Sequence, residues 1–299
     1  MSVFLEKMKK DSELSEVLSD LAGINEFEAY RYCDDFAAES KRYNVFKIVH
    51  EGGVCVLKRF DDTKRFEAEK AIYDLLAADL PVPRVLACKD GYMLTEFIEG
   101  RDLKVMTDEG AAAAARSVAR VFSAFPLGQN YDRKIAVEEI RYREKRLNSL
   151  KNEPLLHQAY TLFLSRLNTM PITLANGDFL PINCIYNGEE VYLIDWEYGG
   201  FMQYALDLGR FLAHSGETSP FLYRISEHQK EIFIQTVYDN LKAKPDRIVF
   251  ERDIKFTILD ECVMVLRSYF DEPTKRRDAE FIAYYERART LANELIAAV

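Results

Sequence analysis

The period of apolar and polar positions changes several times along the chain, and each change predicts a different element. In residues 2–23, Phe4, Leu5 and Met8, then Leu14, Val17, Leu18 and Leu21, fall at helical spacing, with a break at Lys9-Lys10-Asp11. Residues 27–60 change character. The run NVFKIVHEGGVCVLKRF alternates about Gly52-Gly53, which predicts a hairpin whose second strand carries Lys58 near its end. Residues 64–79 return to helical spacing with Phe66, Ile72, Leu75 and Leu76 inward, and Pro81 and Pro83 stop that helix. RVLACKDGYMLTEFIEG reads as two short strands about Asp90-Gly91. Up to Gly100 the chain is therefore a small α+β unit.

From about residue 106 the pattern is mainly helical. Ala111 to Ala115 with Val118, Val121 and Phe122 mark one helix, residues 136–170 hold one or two, and 227–243 and 250–299 hold more. The exception is 172–195, ITLANGDFLPINCIYNGEEVYLID, where strand-like pieces alternate with turns at Asn176-Gly177, Pro181 and Asn187-Gly188. Loops on a rigid scaffold carry function disproportionately, so this island is the place to look for chemistry.

Composition narrows the classes. A chain of 299 residues, 48% of them apolar, suits two units with a sizeable core. The 49 acidic residues outnumber the 40 basic ones for a formal charge of −9, which argues against a general nucleic-acid binder and suits a cationic small substrate. Cys33, Cys55, Cys88, Cys184 and Cys262 are scattered, with no CxxC pair, so neither a zinc site nor a disulfide scaffold is expected. Their odd number fits reduced thiols in a cytoplasm. The N-terminal stretch MSVFLEKMKKDSELSEVL carries acids from Glu6 onward and no apolar run of the signal-peptide kind. No segment approaches the ~20 apolar residues of a membrane-spanning helix.

Three features stand in order within the island: Asn176-Gly177-Asp178, then Asn183 five residues after that Asp, then Ile194-Asp195-Trp196-Glu197. A hairpin between them brings Asn183 and Asp195 to one mouth. Carboxylate and amide oxygens are the hard donors that Mg²⁺ prefers, and another carboxylate nearby can accept a proton from a substrate hydroxyl. Asn-Gly and Asp also simply make turns, and for Asp178 and Asn183 alone that reading is as good. The added IDWE segment tilts the balance toward chemistry. In the N-terminal unit, Lys58 on a strand and Glu69 on the following helix form the kind of pair by which protein-kinase sites grip phosphates.

Together these residues resemble the aminoglycoside phosphotransferase and choline kinase group of small-molecule kinases, from about residue 27 to about 215. FEAEKAIYDLLAADLPVPRVL is similar to the family's helix and the strand entry after it. ANGDFLPINCIY resembles its catalytic loop, and VYLIDWEYGG followed by Asp207-Leu208-Gly209 resembles its metal-binding segment and the Asp that braces it. The IDWEY wording is closest to the choline-kinase side. The resemblance implies an α+β, bilobal protein-kinase-like fold: a small N-terminal β-sheet lobe plus helix over residues 1–98, binding nucleotide, and a larger, mainly helical C-terminal lobe over 99–299, holding catalysis and substrate.

The same resemblance implies ATP and Mg²⁺ as cofactors and a role for each residue. Asp178 is the catalytic base or hydroxyl-orienting group, and Asn183 and Asp195 hold the metal. Lys58 contacts the α- and β-phosphates and Glu69 orients it. Glu96 and Ile98 offer backbone groups to adenine, Met93 walls its pocket, and Ser40 is a phosphate contact in a loop that has no GxGxxG. Asp207 ties the catalytic loop to the next helix. Asn176 stands where the family usually has a supporting His.

Glu197 is an acid available to a cationic acceptor or a second metal, and Tyr269 and Tyr284 are candidates for an aromatic wall. Trp196 reads as a core residue, and His50, His157, His214 and His228 as surface or packing residues. The expected acceptor is choline or a related amino alcohol. An aminoglycoside or another metabolite is the alternative, for which Glu217, Asp260, Glu261 and Asp271 could supply acids. A nucleotide-binding pseudokinase with a regulatory role is the reading that Asn176 favours. The sequence carries no signal for an oligomeric state.

Overall fold

The computed structural model describes residues 3–9, 11–34, 41–76, 79–128, 131, 137–270 and 272–298. The chain divides into two compact units, Met1–Glu99 and Gly100–Val299. The first is built from β1 (Val3–Lys7), α1 (Ser12–Ala22), β2 (Phe27–Asp34), β3 (Lys41–His50), β4 (Gly53–Arg59), α2 (Thr63–Leu75), β5 (Val85–Lys89) and β6 (Tyr92–Glu96). Its strands form one six-stranded sheet in the order β1-β2-β3-β4-β6-β5. The hairpins about Gly52-Gly53 and Asp90-Gly91 are both present, with His50 opposite Gly53 and Lys89 opposite Tyr92.

Strand alternation sends Leu57 and Lys58 of β4 to opposite faces. Leu57 joins Phe46, Ile48 and Leu94 in a core that Leu14 and Leu18 of α1 cover. On α2, Asp62 caps the first turn by accepting from the Lys64 backbone N–H at 2.8 Å. Phe66, Glu69 and Ile72 are its buried residues, so an acidic group shares the apolar stripe of this helix.

Two details differ from the sequence reading. Phe4 and Leu5 belong to a strand, not a helix: β1 pairs along its whole length with β2, from Val3 opposite Asp34 to Lys7 opposite Tyr30. Five residues are less than two helical turns, too short for spacing to separate the periods, and the free edge of β2 decides the outcome. The helix starts only where the Asp11 side chain accepts from the Glu13 and Leu14 backbone N–H groups. Leu75, expected inward, is exposed at the last position of α2.

The second unit holds α3 (Asp108–Ala124), α4 (Val137–Ser149), α5 (Pro154–Leu167), β7 (Ile172–Ala175), β8 (Cys184–Tyr186), β9 (Val191–Leu193), β10 (Gly200–Gln203), α6 (Tyr204–Ala213), β11 (Ser215–Gly216), β12 (Tyr223–Arg224), α7 (Glu227–Asn240), α8 (Arg247–Phe270) and α9 (Ala279–Ala297). The island is two short antiparallel pairs, β7 with β10 and β8 with β9. Leu156 and Phe163 of α5, Leu259 and Val263 of α8, and Tyr284, Ala288 and Ala292 of α9 form the main core. Among the described residues no helix is long and apolar enough to cross a membrane, and all five cysteines are free thiols.

Two buried acids on α8 are neutralised inside the fold. Asp253 accepts both Nε and Nη2 of Arg166, at 2.7 and 2.8 Å, and the Tyr204 hydroxyl. Asp260 accepts from Arg143, Arg146 and the Tyr160 hydroxyl. Buried charge is tolerated when it is paired and hydrogen-bonded in this way.

Candidate active site

In the N-terminal unit the Lys58 ammonium donates to Glu69 Oε2 at 2.7 Å. Glu69 is only 2% exposed, so its carboxylate holds the lysine from within the fold. Lys58 stands directly opposite the buried Met93 on β6, which places both side chains on one face of the sheet. The Phe60 ring lies 4.9 Å from the ammonium and completes its surroundings on that side. Glu96 ends β6 and its carboxylate accepts from the Arg84 backbone and guanidinium, both at 2.9 Å. Ile98 follows outside any helix or strand, and among the described residues its backbone N–H donates to nothing. Ser40 lies outside the described residues.

In the C-terminal unit the loop after β7 is fixed from three sides. Gly177 has a φ of 77° and a side chain there would meet the Tyr198 carbonyl oxygen at 2.2 Å, so only glycine fits. Asp207 on α6 accepts the Asn176 and Gly177 backbone N–H groups at 2.7 and 2.9 Å. Burial pushes the Asp207 carboxyl up to about 6, against the pull of those two N–H groups. The buried Asn176 amide donates to the Ile194 and Asp195 carbonyls, each at 3.2 Å, and accepts from the Asp178 backbone N–H at 3.1 Å. One side chain thus ties Asp178 to Asp195.

Asn183 closes the loop. Its amide nitrogen donates to the Asp178 carbonyl at 2.8 Å and to Asp178 Oδ2 at 3.0 Å. Its backbone carbonyl accepts from Ile194 at 3.0 Å, one rung beyond the Cys184–Leu193 pair, so Asn183 and Asp195 do share the mouth of the β8–β9 hairpin. Asp195 sits there at a φ of 59°, a left-handed conformation that costs a non-glycine residue about 1–2 kcal/mol. Such outliers cluster at functional sites. One carboxylate oxygen of Asp195 lies within 4.8 Å of one of Glu197. Trp196 is buried and donates its indole N–H to the Leu193 carbonyl, a core residue beneath the loop.

The sequence profile of the phosphotransferase enzyme family matches residues 37–242, which takes in both Lys58 and this loop. The chain belongs to that family. No curated protein matches it. Among solved structures it is similar to the choline kinase LicA from Streptococcus pneumoniae, at 16% identity and a TM-score of 0.61 over 94% of this chain and 98% of that one. It is similar to a Plasmodium vivax ethanolamine kinase at 16% identity and a TM-score of 0.55, over 85% and 80%. It is also similar to the ADP-bound aminoglycoside phosphotransferase APH(2″)-Ib at 13% and 0.56, over 96% and 99%. At these identities the likeness carries the kinase-like fold and not the acceptor.

Within this phosphotransferase fold the structure adds residues that the sequence reading missed. Arg210 donates to Asp178 Oδ1 through Nε at 2.8 Å, with Nη2 in ion-pair contact 2.6 Å from the same oxygen, and to Glu261 Oε2 through Nη1 at 3.0 Å. Burial would raise the Glu261 carboxyl, but the hydrogen bond from His214 and the Arg210 charge override it and hold it down at about 2. An anionic Glu261 only accepts, so His214 Nε2–H donates to it at 3.0 Å, and His214 Nδ1 is hydrogen-bonded to the Tyr284 hydroxyl at 2.9 Å. His214 is therefore a buried, doubly bonded residue and not a surface one.

The signal for this row lay in α6: Asp207, Arg210 and His214 fall at helical spacing on one stripe. Gly209 lets α6 approach α8 closely, since a side chain there would meet Thr257 Oγ1 at 2.2 Å. Phe179, next to Asp178, is fully buried and stacks on Phe211 of α6, ring centres 4.7 Å apart, which pins the loop from below.

The expected aromatic wall is corrected. Tyr284 is 1% exposed and packs in the α5–α8–α9 core, reaching Asp178 only through His214, Glu261 and Arg210. Tyr269 packs against Phe281 and hydrogen-bonds Glu280 on α9. Tyr284 is core and Tyr269 is partly buried against that core, as aromatics at helical spacing usually are. Of the acids suited to a polyamine acceptor, Asp260 and Glu261 are neutralised internally, Glu217 is exposed, and Asp271 lies outside the described residues.

Proposed function

We propose that the protein transfers the γ-phosphate of ATP, with Mg²⁺, to a hydroxyl of a small molecule, with choline or a related amino alcohol as the acceptor. The observation that carries this reading is the loop in which Asn183 bonds the Asp178 carboxylate, Asp207 holds the Asn176 and Gly177 backbone, and Asn176 ties that loop to Asp195. Phosphoryl transfer through a loose transition state needs positioned charge more than covalent help. Asp178 orients the attacking hydroxyl. The N-terminal unit binds the nucleotide: Lys58 takes the α- and β-phosphates, Glu69 holds Lys58, and Met93, Glu96 and the open Ile98 N–H serve adenine.

The donor set fits a hard divalent cation. Asn183 uses its amide nitrogen on Asp178, and its side-chain oxygen accepts nothing among the described residues. With the Asp195 carboxylate, and Glu197 close to it, that oxygen makes an all-oxygen set of the kind Mg²⁺ takes. Bound there, the ion would offset phosphate charge.

The amino-alcohol assignment rests on the IDWEY segment, the net acidity and the fold shared with choline and ethanolamine kinases. The internal neutralisation of Asp260 and Glu261 weighs against a polyamine acceptor. Asn176 gives no support to a pseudokinase, because its amide makes every bond that bracing Asp178 and Asp195 asks of it. Coupled ADP release from MgATP with choline, ethanolamine, gentamicin and simple sugars tests the reading. Turnover with choline or ethanolamine above the no-acceptor rate is expected. ADP release with none of them, in a protein that binds MgATP, would overturn it.

A further inference from the structure

Holding metal and orienting a hydroxyl call for Asp178, Asn183 and Asp195, and none of these roles calls for Arg210. Yet Arg210 is the cation that meets the Asp178 carboxylate, with two of its nitrogens against one oxygen. Its Nε–H donates to Oδ1 at 2.8 Å, and Nη2 lies 2.6 Å from the same oxygen as an ion pair. Oδ2 receives one N–H, from Asn183 at 3.0 Å, and keeps a second acceptor direction. The terminal torsion of an aspartate is broad, so an unheld carboxylate swings between orientations. A guanidinium is a planar fork that can fix one of them, which a lysine's point charge cannot.

The arginine is itself held. Its third nitrogen donates to Glu261 at 3.0 Å, Glu261 accepts from His214 at 3.0 Å, and His214 meets the Tyr284 hydroxyl at 2.9 Å. Glu261, His214 and Tyr284 are all buried. The row thus runs from the packed core between α8 and α9 out to the reacting carboxylate, and every link uses a directional bond.

We propose that Arg210 is a positioning residue: it locks the Asp178 carboxylate so that Oδ2 alone receives the acceptor hydroxyl, and Glu261, His214 and Tyr284 keep Arg210 in place. The inference rests on the phosphotransfer reading of Asp178. It implies that the acceptor enters from the Oδ2 side, next to Asn183, and that the charge of Arg210 is not enough without its fork.

The test is ADP release from MgATP with choline, ethanolamine or gentamicin, whichever the wild type uses, and with water when it uses none. R210K keeps the charge and should still lower kcat by tenfold to about a hundredfold, the scale of a misplaced reacting group, with KM for ATP within about twofold. R210A should fall further and recover several-fold in millimolar guanidinium. In the D178A background, R210A should slow turnover no more, because the group it positions is gone. Tm of each variant monitors folding, and R210K with E261Q carry the test if R210A does not fold. Wild-type kcat in R210K, or an R210A effect equally large in the D178A background, would overturn the proposal while leaving the phosphotransferase reading intact. A wild type that releases no ADP under any of these conditions overturns that reading, and this inference with it.

Discussion

In the N-terminal unit one lysine meets one glutamate; in the C-terminal unit one arginine bridges an aspartate and a glutamate. The two arrangements use the same charges in opposite senses. Glu69 is the buried partner, and it holds the half-buried Lys58 ammonium, the charge that the proposed reading offers to a nucleotide. In the other unit the cation is the holder. All three nitrogens of Arg210 are engaged by protein carboxylates, and the group that the proposed reaction uses is the Asp178 carboxylate. Side-chain chemistry explains the assignment: a compact ammonium with three donors suits a charge offered to phosphate, whereas a rigid fork suits bridging two acids.

The largest effect should come from the working carboxylate. Asp178→Ala is expected to lower kcat by about 10³-fold, the middle of the range for a positioned acid–base group, and to leave the Kd for MgATP nearly unchanged. Single-turnover ADP release and a nucleotide titration measure the two quantities. If Asp178→Ala instead loses nucleotide affinity at unchanged kcat, Asp178 is a ligand-binding residue and the contrast between the two pairs disappears.

How far these groups could be read from the sequence depends on the range of the contacts. Asp178, Asn183 and Asp195 are brought together by one hairpin, and turn residues and spacing report such local geometry directly. Lys58 and Glu69 lie on neighbouring elements and are legible through the family pattern. Arg210 is 32 positions from Asp178 and 51 from Glu261, and only the packing of α6 on α8 makes it meet both. The stripe of Asp207, Arg210 and His214 was visible, but its direction was not. The strand at Val3–Lys7 was illegible for a related reason: it exists because β2 offers a ladder, and a tertiary partner overrides so short a pattern.

A next, smaller effect concerns the holders themselves. Asp207 and Glu261 are both buried, yet their carboxyls move in opposite directions, up to about 6 and down to about 2. Two backbone N–H groups and the Arg210 charge do not outweigh the burial of Asp207, whereas the His214 hydrogen bond and the Arg210 charge outweigh that of Glu261. The signs follow by linkage. Glu261, lowered from 4.5, gives stability that is fully present above pH 4.5 and is lost as pH falls toward 2. Asp207, raised from 3.8, gives stability that is present below pH 3.8 and is lost as pH rises through about 6. At pH 5 the Glu261 contribution is about 3 kcal/mol, and at pH 3.5 it is about 1 kcal/mol smaller. Urea unfolding of wild type and Glu261→Gln should show that gap narrowing between the two pH values. A gap independent of pH would mean that Glu261 is not the anion on which Arg210 leans.

The smallest expected effect separates the two holders by what they hold. Glu69→Gln keeps an acceptor for Lys58 at nearly the same volume and removes only the charge, so the lysine stays close to its place with a weaker pull. Its consequence should appear where Lys58 acts. KM for ATP is expected to rise about tenfold, equivalent to about 1.4 kcal/mol, with kcat within about threefold of wild type. An interaction made equally in the bound and transition states gives this signature, whereas Arg210 variants should lower kcat at constant KM. Initial rates over a range of ATP concentrations distinguish them. If Glu69→Gln lowers kcat at unchanged KM, Lys58 stabilises the transferring phosphoryl group itself, and both pairs serve the chemical step.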